Sequence, residues 1–108
     1  MTNGPSSARG ARLTEAQRRY LRGIGHGLKP VVHIGQAGVS DAVVAEADRA
    51  LNDHELIKVR ALGMERDERN EALDALSTRT ASEIVGRIGH TAVLFRRHPK
   101  KPRIVLPG

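Results

Sequence analysis

From Thr14 onward apolar residues recur at helical spacing, with Ala16, Tyr20, Leu21, Ile24 and Leu28 on one stripe. Thr14 with Gln17 three residues later is a capping-box pattern, so a helix is expected from about Thr14 to Gly25. Its opposite stripe carries Arg18, Arg19 and Arg22, and Gly23, Gly25 and Gly27 weaken its C-terminal end. Lys29-Pro30 then redirects the chain into Val31 to Ile34, a short β-branched stretch that suits a buried strand. Ser40 is a good N-cap for a second helix to about Asn52, with Val43, Val44, Ala47, Ala50 and Leu51 as its apolar face. Glu55 to Ala61 alternates, placing Ile57, Val59 and Ala61 on one face and Leu56, Lys58 and Arg60 on the other. A strand with one cationic face is expected there.

The polar stretch 63–70 leads into a third helix ending near Thr80, with Ala72, Leu73, Leu76 and Thr80 facing inward. Ile84 to Ile88 and Thr91 to Arg96 flank Gly89-His90, a pair that suits a type II′ hairpin turn. The end, His98 to Gly108, alternates Pro with Lys and Arg around Ile104-Val105-Leu106; it is either a short edge strand or a segment clipped onto the surface. The resulting order α-β-α-β-α-β-β predicts an α+β fold, a four-stranded mixed sheet packed with three helices. Helical crossovers make the first three strands parallel neighbours or near neighbours, and the hairpin is expected to add an antiparallel edge. Residues 1–12 are nearly devoid of apolar side chains and are expected to be a disordered basic tail, leaving one domain over 13–106.

Charge changes this picture from a fold to a partner. The net charge of +6 is unevenly spread: Lys and Arg exceed Asp and Glu by 5 over residues 1–40, fall short by 5 over 41–86, and exceed by 6 over 87–108. Two cationic ends concentrate polyanions and release counterions on contact, so nucleic acid is the leading partner. Cysteine is absent, which excludes disulfides, thiolate metal sites and thiol nucleophiles. The apolar runs are too short for a membrane span or a secretory signal, so a cytoplasmic protein without a membrane partner is expected. His26, His33, His54, His90 and His98 are scattered, with no pair at metal-ligand spacing, so no metal is expected. No nucleophile elbow or Walker lysine is present, and neither an enzyme nor a cofactor or small-molecule substrate is expected. The aromatics are Tyr20 and Phe95 alone, too few for a base-stacking platform, which favours recognition of backbone and shape.

Gly35-Gln36-Ala37-Gly38 falls where a strand ends and Ser40 opens a helix. Unpaired N–H groups and the positive end of a helix dipole converge at such a place, and glycine lets a sugar-phosphate chain approach the main chain. A Gly-x-x-Gly loop holds nucleic acid in this way in KH domains. The four residues alone mark a tight turn as readily. Gly86-Arg87-Ile88-Gly89 fits the same spacing inside a strand and hairpin, where no helix follows.

Leu-Lys-Pro before the first strand, the Gly-x-x-Gly loop, His54-Glu55-Leu56-Ile57-Lys58-Val59 and the closing Gly-x-x-x-Val-Leu-Phe-Arg strand stand here in order. In this set the chain resembles the CRM domain, in particular the single-domain bacterial YhbY family. The resemblance implies a fold similar to the C-terminal domain of translation initiation factor three, with RNA bound across the loop and adjacent basic surface. It also implies a role in maturation of the large ribosomal subunit, at the pre-50S stage, on ribosomal RNA. Carried over by residue, it points to Gly35 and Gly38 as the clamp, Lys29 beside it, Lys58 on the second strand and Arg96 on the last. Gln36 and Ala37 complete the loop, and Arg18 and Arg22 are expected to add to the electrostatic footprint. Tyrosine is common in the family where Phe95 stands, and the long basic C-terminal segment is not part of its pattern. A monomer is expected. A DNA-binding nucleoid-type protein and a small nucleotide-binding enzyme are the competing readings.

Overall fold

The computed structural model describes residues 12–108, so all but the last residue of the expected N-terminal tail lies outside the described residues. The elements run α1 (Glu15–His26), β1 (Pro30–Ile34), α2 (Asp41–His54), β2 (Leu56–Ala61), α3 (Arg66–Thr80), β3 (Glu83–Ile88) and β4 (Thr91–Phe95). This is the expected α+β order. Both halves of the capping box at α1 form, with Gln17 N donating to Thr14 Oγ1 over 3.1 Å and Thr14 N to Gln17 Oε1 over 3.0 Å. Ser40 caps α2 as expected, its hydroxyl accepting from Val43 N.

The sheet order is β1-β2-β4-β3. β1 and β2 are parallel, and β4 is antiparallel to both its neighbours, so β3 runs parallel to β2 with β4 between them. The hairpin therefore supplies the expected antiparallel edge, β3 against β4, and in addition places β4 in the interior of the sheet between β2 and β3. The reason is in β4 itself: Ala92, Val93, Leu94 and Phe95 are all buried, so both of its faces need cover and both of its edges need partners. Gly89 at φ +58°, followed by a residue without positive φ, fits the expected II′ turn.

Two apolar clusters sit on opposite faces of the sheet. Ile57, Val59 and Leu94 join Val32, Ile34, Leu51, Leu73 and Leu76 beneath α2 and α3. Leu56, Val93, Phe95 and Val85 join Leu21 of α1, with Leu28, Ile104 and Leu106 against them. Phe95 lies within this second cluster, where a tyrosine hydroxyl would need a partner. The C-terminal segment forms no strand and is held against this cluster, which settles the alternative left by the sequence.

One helix meets the sheet through glycine. A Cβ on Gly25 would lie 2.6 and 2.7 Å from the two γ-methyls of Val93, whereas one on Gly23 would meet nothing within 4 Å. Gly to Ala within a helix gains roughly 0.5–1 kcal/mol, and overpacking a tight contact costs about 1–3 kcal/mol. Opposite signs are therefore expected two residues apart. Gly23→Ala should raise the chemical-denaturation midpoint and Gly25→Ala should lower it, and Val93→Ala in the Gly25→Ala background should recover part of the loss.

Candidate functional site

The Gly35–Gly38 loop is a β-turn closed by Gly38 N donating to Gly35 O over 2.9 Å, and Gly38 takes φ +82°. That left-handed angle is why a glycine stands there. A Cβ at Gly35 or Gly38 would meet nothing within 4 Å, so both glycines face open space. The N–H groups of Gln36, Ala37, Asp41 and Ala42 donate to no other described residue. Together with the start of α2 they form a concentration of free donors at the positive end of a 14-residue helix. Such an arrangement can bind an anion.

The loop is braced from two places that sequence reasoning missed. Gln36 Nε2 donates to Gly63 O over 3.2 Å, and Gly63, at φ +74°, leaves room for the Gln36 side chain 3.1 Å from where a Cβ would be. Arg79 of α3 donates to Val39 O over 3.1 Å and pairs with Asp41 at 2.7 Å. Gly63 offered only a weak signal, as the first residue of a polar stretch. Arg79 offered none, since its partners are 38 and 40 residues away.

The loop has two unlike flanks. On the α3 side, Gln36 and Gly38 border a cavity of about 450 Å³ that also meets Glu68 and Glu71, and that flank repels phosphate. On the α1 side, His33 and Arg60 stand opposite each other across β1 and β2, one position before the strand ends. Both are exposed, and Arg60 pairs with no described residue. Next along the same face Lys58 lines a groove of about 410 Å³ with Arg19, Arg22 and His26 of α1. A cationic path thus leads from the loop over one face of the sheet.

The residues expected to converge on the loop are distributed more widely. Lys29 precedes β1 while the loop follows it, so five residues of strand, roughly 17 Å, separate them. Lys58 pairs across the sheet with Pro30 and Val93, and its Nζ donates to His26 O over 3.2 Å. Arg96, expected at the RNA site, lies on the other face of the sheet from Lys58, where its guanidinium bonds Asp48 Oδ1 and Thr80 O, both at 2.7 Å. Arg18 pairs with Glu83 and donates to Ile84 O, and Arg22 donates to Val85 O and reaches Glu15 at 3.3 Å. These two arginines fasten α1 to the edge strand β3, and of the pair Arg22 also lines the groove. The second Gly-x-x-Gly, at Gly86, packs against the Arg22 side chain: a Cβ there would lie 2.7 Å from Arg22 Cγ.

Among the described residues no group of three His, Asp or Glu is placed to hold a metal, and no helix is long and apolar enough to cross a membrane. No serine or threonine hydroxyl bonds a described histidine.

Comparison with known proteins agrees with the fold and gives it a family. A protein of Pseudomonas aeruginosa named a probable RNA-binding protein is 46% identical over 88 residues, covering 82% of this chain and 85% of the relative. One of Haemophilus influenzae, named an RNA-binding protein, is 39% identical over 95 residues, covering 88% and 95% respectively. The solution structure of a Staphylococcus aureus protein, described as a candidate RNA-binding protein, superimposes with a TM-score of 0.77 at 36% identity. It spans 89% of this chain and 100% of that one. The sequence pattern of the CRS1/YhbY (CRM) domain matches residues 13–96, and the chain belongs to that family.

Proposed function

We propose that this chain is an RNA-binding protein, not an enzyme, and that it grips folded ribosomal RNA by its phosphate backbone during assembly of the large ribosomal subunit. The observation that carries the reading is the continuity of two features: the free amides of the Gly35–Gly38 loop and the cationic path from Arg60, beside His33, to Lys58 and the α1 groove. The amides supply close, uncharged donors, and the path supplies the counterion release that dominates affinity for a polyanion. The names of the relatives support RNA as the partner, and the family resemblance supports the pre-50S particle.

The scarcity of aromatic side chains favours contacts to backbone and shape over base reading. On this reading the site is broader than the four loop residues. Gly35, Gln36, Ala37 and Gly38 form the close contact, Lys58 and Arg22 extend it, and Arg60, His33 and Arg19 join it. Lys29 serves the far end of the same face. Arg18 and Arg96 hold the scaffold.

Crosslinking the protein to RNA in growing cells, with mapping of the contacts and sedimentation of the bound particles, tests the proposal. Crosslinks concentrated in large-subunit rRNA of precursor particles are expected. Crosslinks spread over messenger and transfer RNA would leave RNA binding standing and remove the ribosomal assignment.

A further inference from the structure

The segment after Arg96 falls outside the residues that match the family pattern, yet it is held in place by a built anchor. Glu55, between α2 and β2, is 1% exposed and takes φ +65°. Its Oε2 accepts from His98 N at 2.7 Å, and its Oε1 accepts from Arg103 N and Ile104 N, each at 2.8 Å. Ile104 and Leu106 pack on the second apolar cluster, and Gln17 Nε2 donates to Pro107 O at 3.1 Å. Between the anchored points the chain curls, with Lys100 N and Lys101 N donating to His98 Nδ1 at 3.1 and 3.0 Å.

Covering the apolar cluster accounts for Ile104 and Leu106. It does not account for the rest of the strap. Arg97, Lys100, Lys101 and Arg103 are exposed, no acidic residue lies between them, and none forms an ion pair with a described residue. Holding like charges together on an ordered backbone costs conformational entropy and electrostatic repulsion. Ile104 also lines a groove of about 380 Å³ with Lys29, Lys58 and His54, so the strap borders the end of the cationic path farthest from the glycine loop.

We propose that the strap and Lys29 form a second RNA-phosphate contact surface, at the opposite end of β1 from the Gly35–Gly38 loop. This rests on the RNA-binding reading above. Bound RNA then spans the sheet face, touching the loop amides at one end and a pre-positioned cationic arm at the other. Because Glu55 fixes the strap through backbone bonds, the four cationic heads stay available without the ordering cost of a free tail.

The test compares two charge-matched pairs in the full chain: K100Q/K101Q on the strap, and R49Q/R66Q on the α2 and α3 side, where both arginines are exposed and unpaired with described residues. Binding of a labelled rRNA hairpin is titrated at several salt concentrations, with thermal melting to verify folding. Neither strap lysine side chain makes a bond to a described residue, so the fold should survive the change. The strap pair is expected to lose about tenfold in affinity, with a salt slope shallower by about 1–2, since each phosphate contact contributes about 0.7–0.9. The control pair should lose less than about twofold. Equal losses in the two pairs, or no loss in the strap pair, would overturn the strap proposal while leaving RNA binding intact. A wild-type chain that fails to bind the hairpin would overturn the RNA reading itself and the strap with it.

Discussion

Replacing Glu55 with Gln is expected to lower the unfolding free energy by about 2–3 kcal/mol near neutral pH, because three charge-assisted backbone bonds lose their common acceptor. The same residue closes α2, with its N–H donating to Leu51 O at 2.8 Å, and its carbonyl accepts from Arg96 N at 2.9 Å. Glutamine keeps the shape but offers one weaker acceptor oxygen in place of two. Burial pushes the Glu55 carboxyl up, but the amides of His98, Ile104 and Arg103 and the nearby charge of Arg97 outweigh it and hold the group below its ordinary 4.5. A depressed carboxylate stabilises the fold above its unfolded pKa, and that contribution disappears as pH falls through the folded value. Urea unfolding should therefore show a constant gap between wild type and Glu55→Gln from neutral pH to about pH 5, closing in stronger acid. A gap independent of pH would show that the carboxylate charge is not what holds the strap.

Arg96→Ala is expected to cost about 2–3 kcal/mol of stability and to leave the RNA affinity of the folded protein within about twofold of wild type. The guanidinium joins four acceptors: Asp48 Oδ1, Thr80 O, Asp48 O at 3.1 Å and Asn52 Oδ1 at 3.2 Å. It ties the C-terminal half of α2 to the end of α3 across the end of β4. Truncation leaves Thr80 O and Asp48 without this donor in a partly buried place. Lysine should recover little, because a single ammonium cannot span a fork of this geometry. Denaturation and RNA titration on the same preparations separate the two readings of this residue. A stable variant with weakened RNA binding would return Arg96 to the interface.

Much of the fold was legible because the periodicities were clean. Ile57, Val59 and Ala61 alternate with Leu56, Lys58 and Arg60, and that alternation survives as the two faces of β2. Thr14, Ser40 and Gly89 each stand where the capping or turn chemistry requires. The position of β4 was harder to read, because a hairpin fixes which strand is adjacent and not which other strand its free edge will meet. The unbroken apolar run from Ala92 to Phe95, all four of which are buried, was the available signal for a central strand.

The site was legible in kind and less so in extent. The glycine loop follows from local sequence, since strand, turn and helix cap are contiguous. Which cations share its face depends on sheet order and parity. Arg96 stands one residue past Phe95 of the α1 cluster and so turns to the α2 face. Arg60, two residues after Lys58, keeps to the α1 face and lies nearer the loop. The anchoring of the C-terminal segment by Glu55 joins residues more than 40 positions apart and leaves no local pattern.

The central claim, that RNA phosphate is held at the Gly35–Gly38 loop, is tested most directly by titrating a labelled rRNA hairpin against wild type, Gly38→Asn and Gly38→Asp, with duplex DNA as competitor. Asparagine tolerates the left-handed angle of Gly38 and adds bulk without charge, whereas aspartate adds a carboxylate where phosphate should lie. The expected result is a loss of tenfold or more for Gly38→Asp, a clearly smaller loss for Gly38→Asn, and RNA retained against DNA. Full RNA affinity in a folded Gly38→Asp protein would contradict the account.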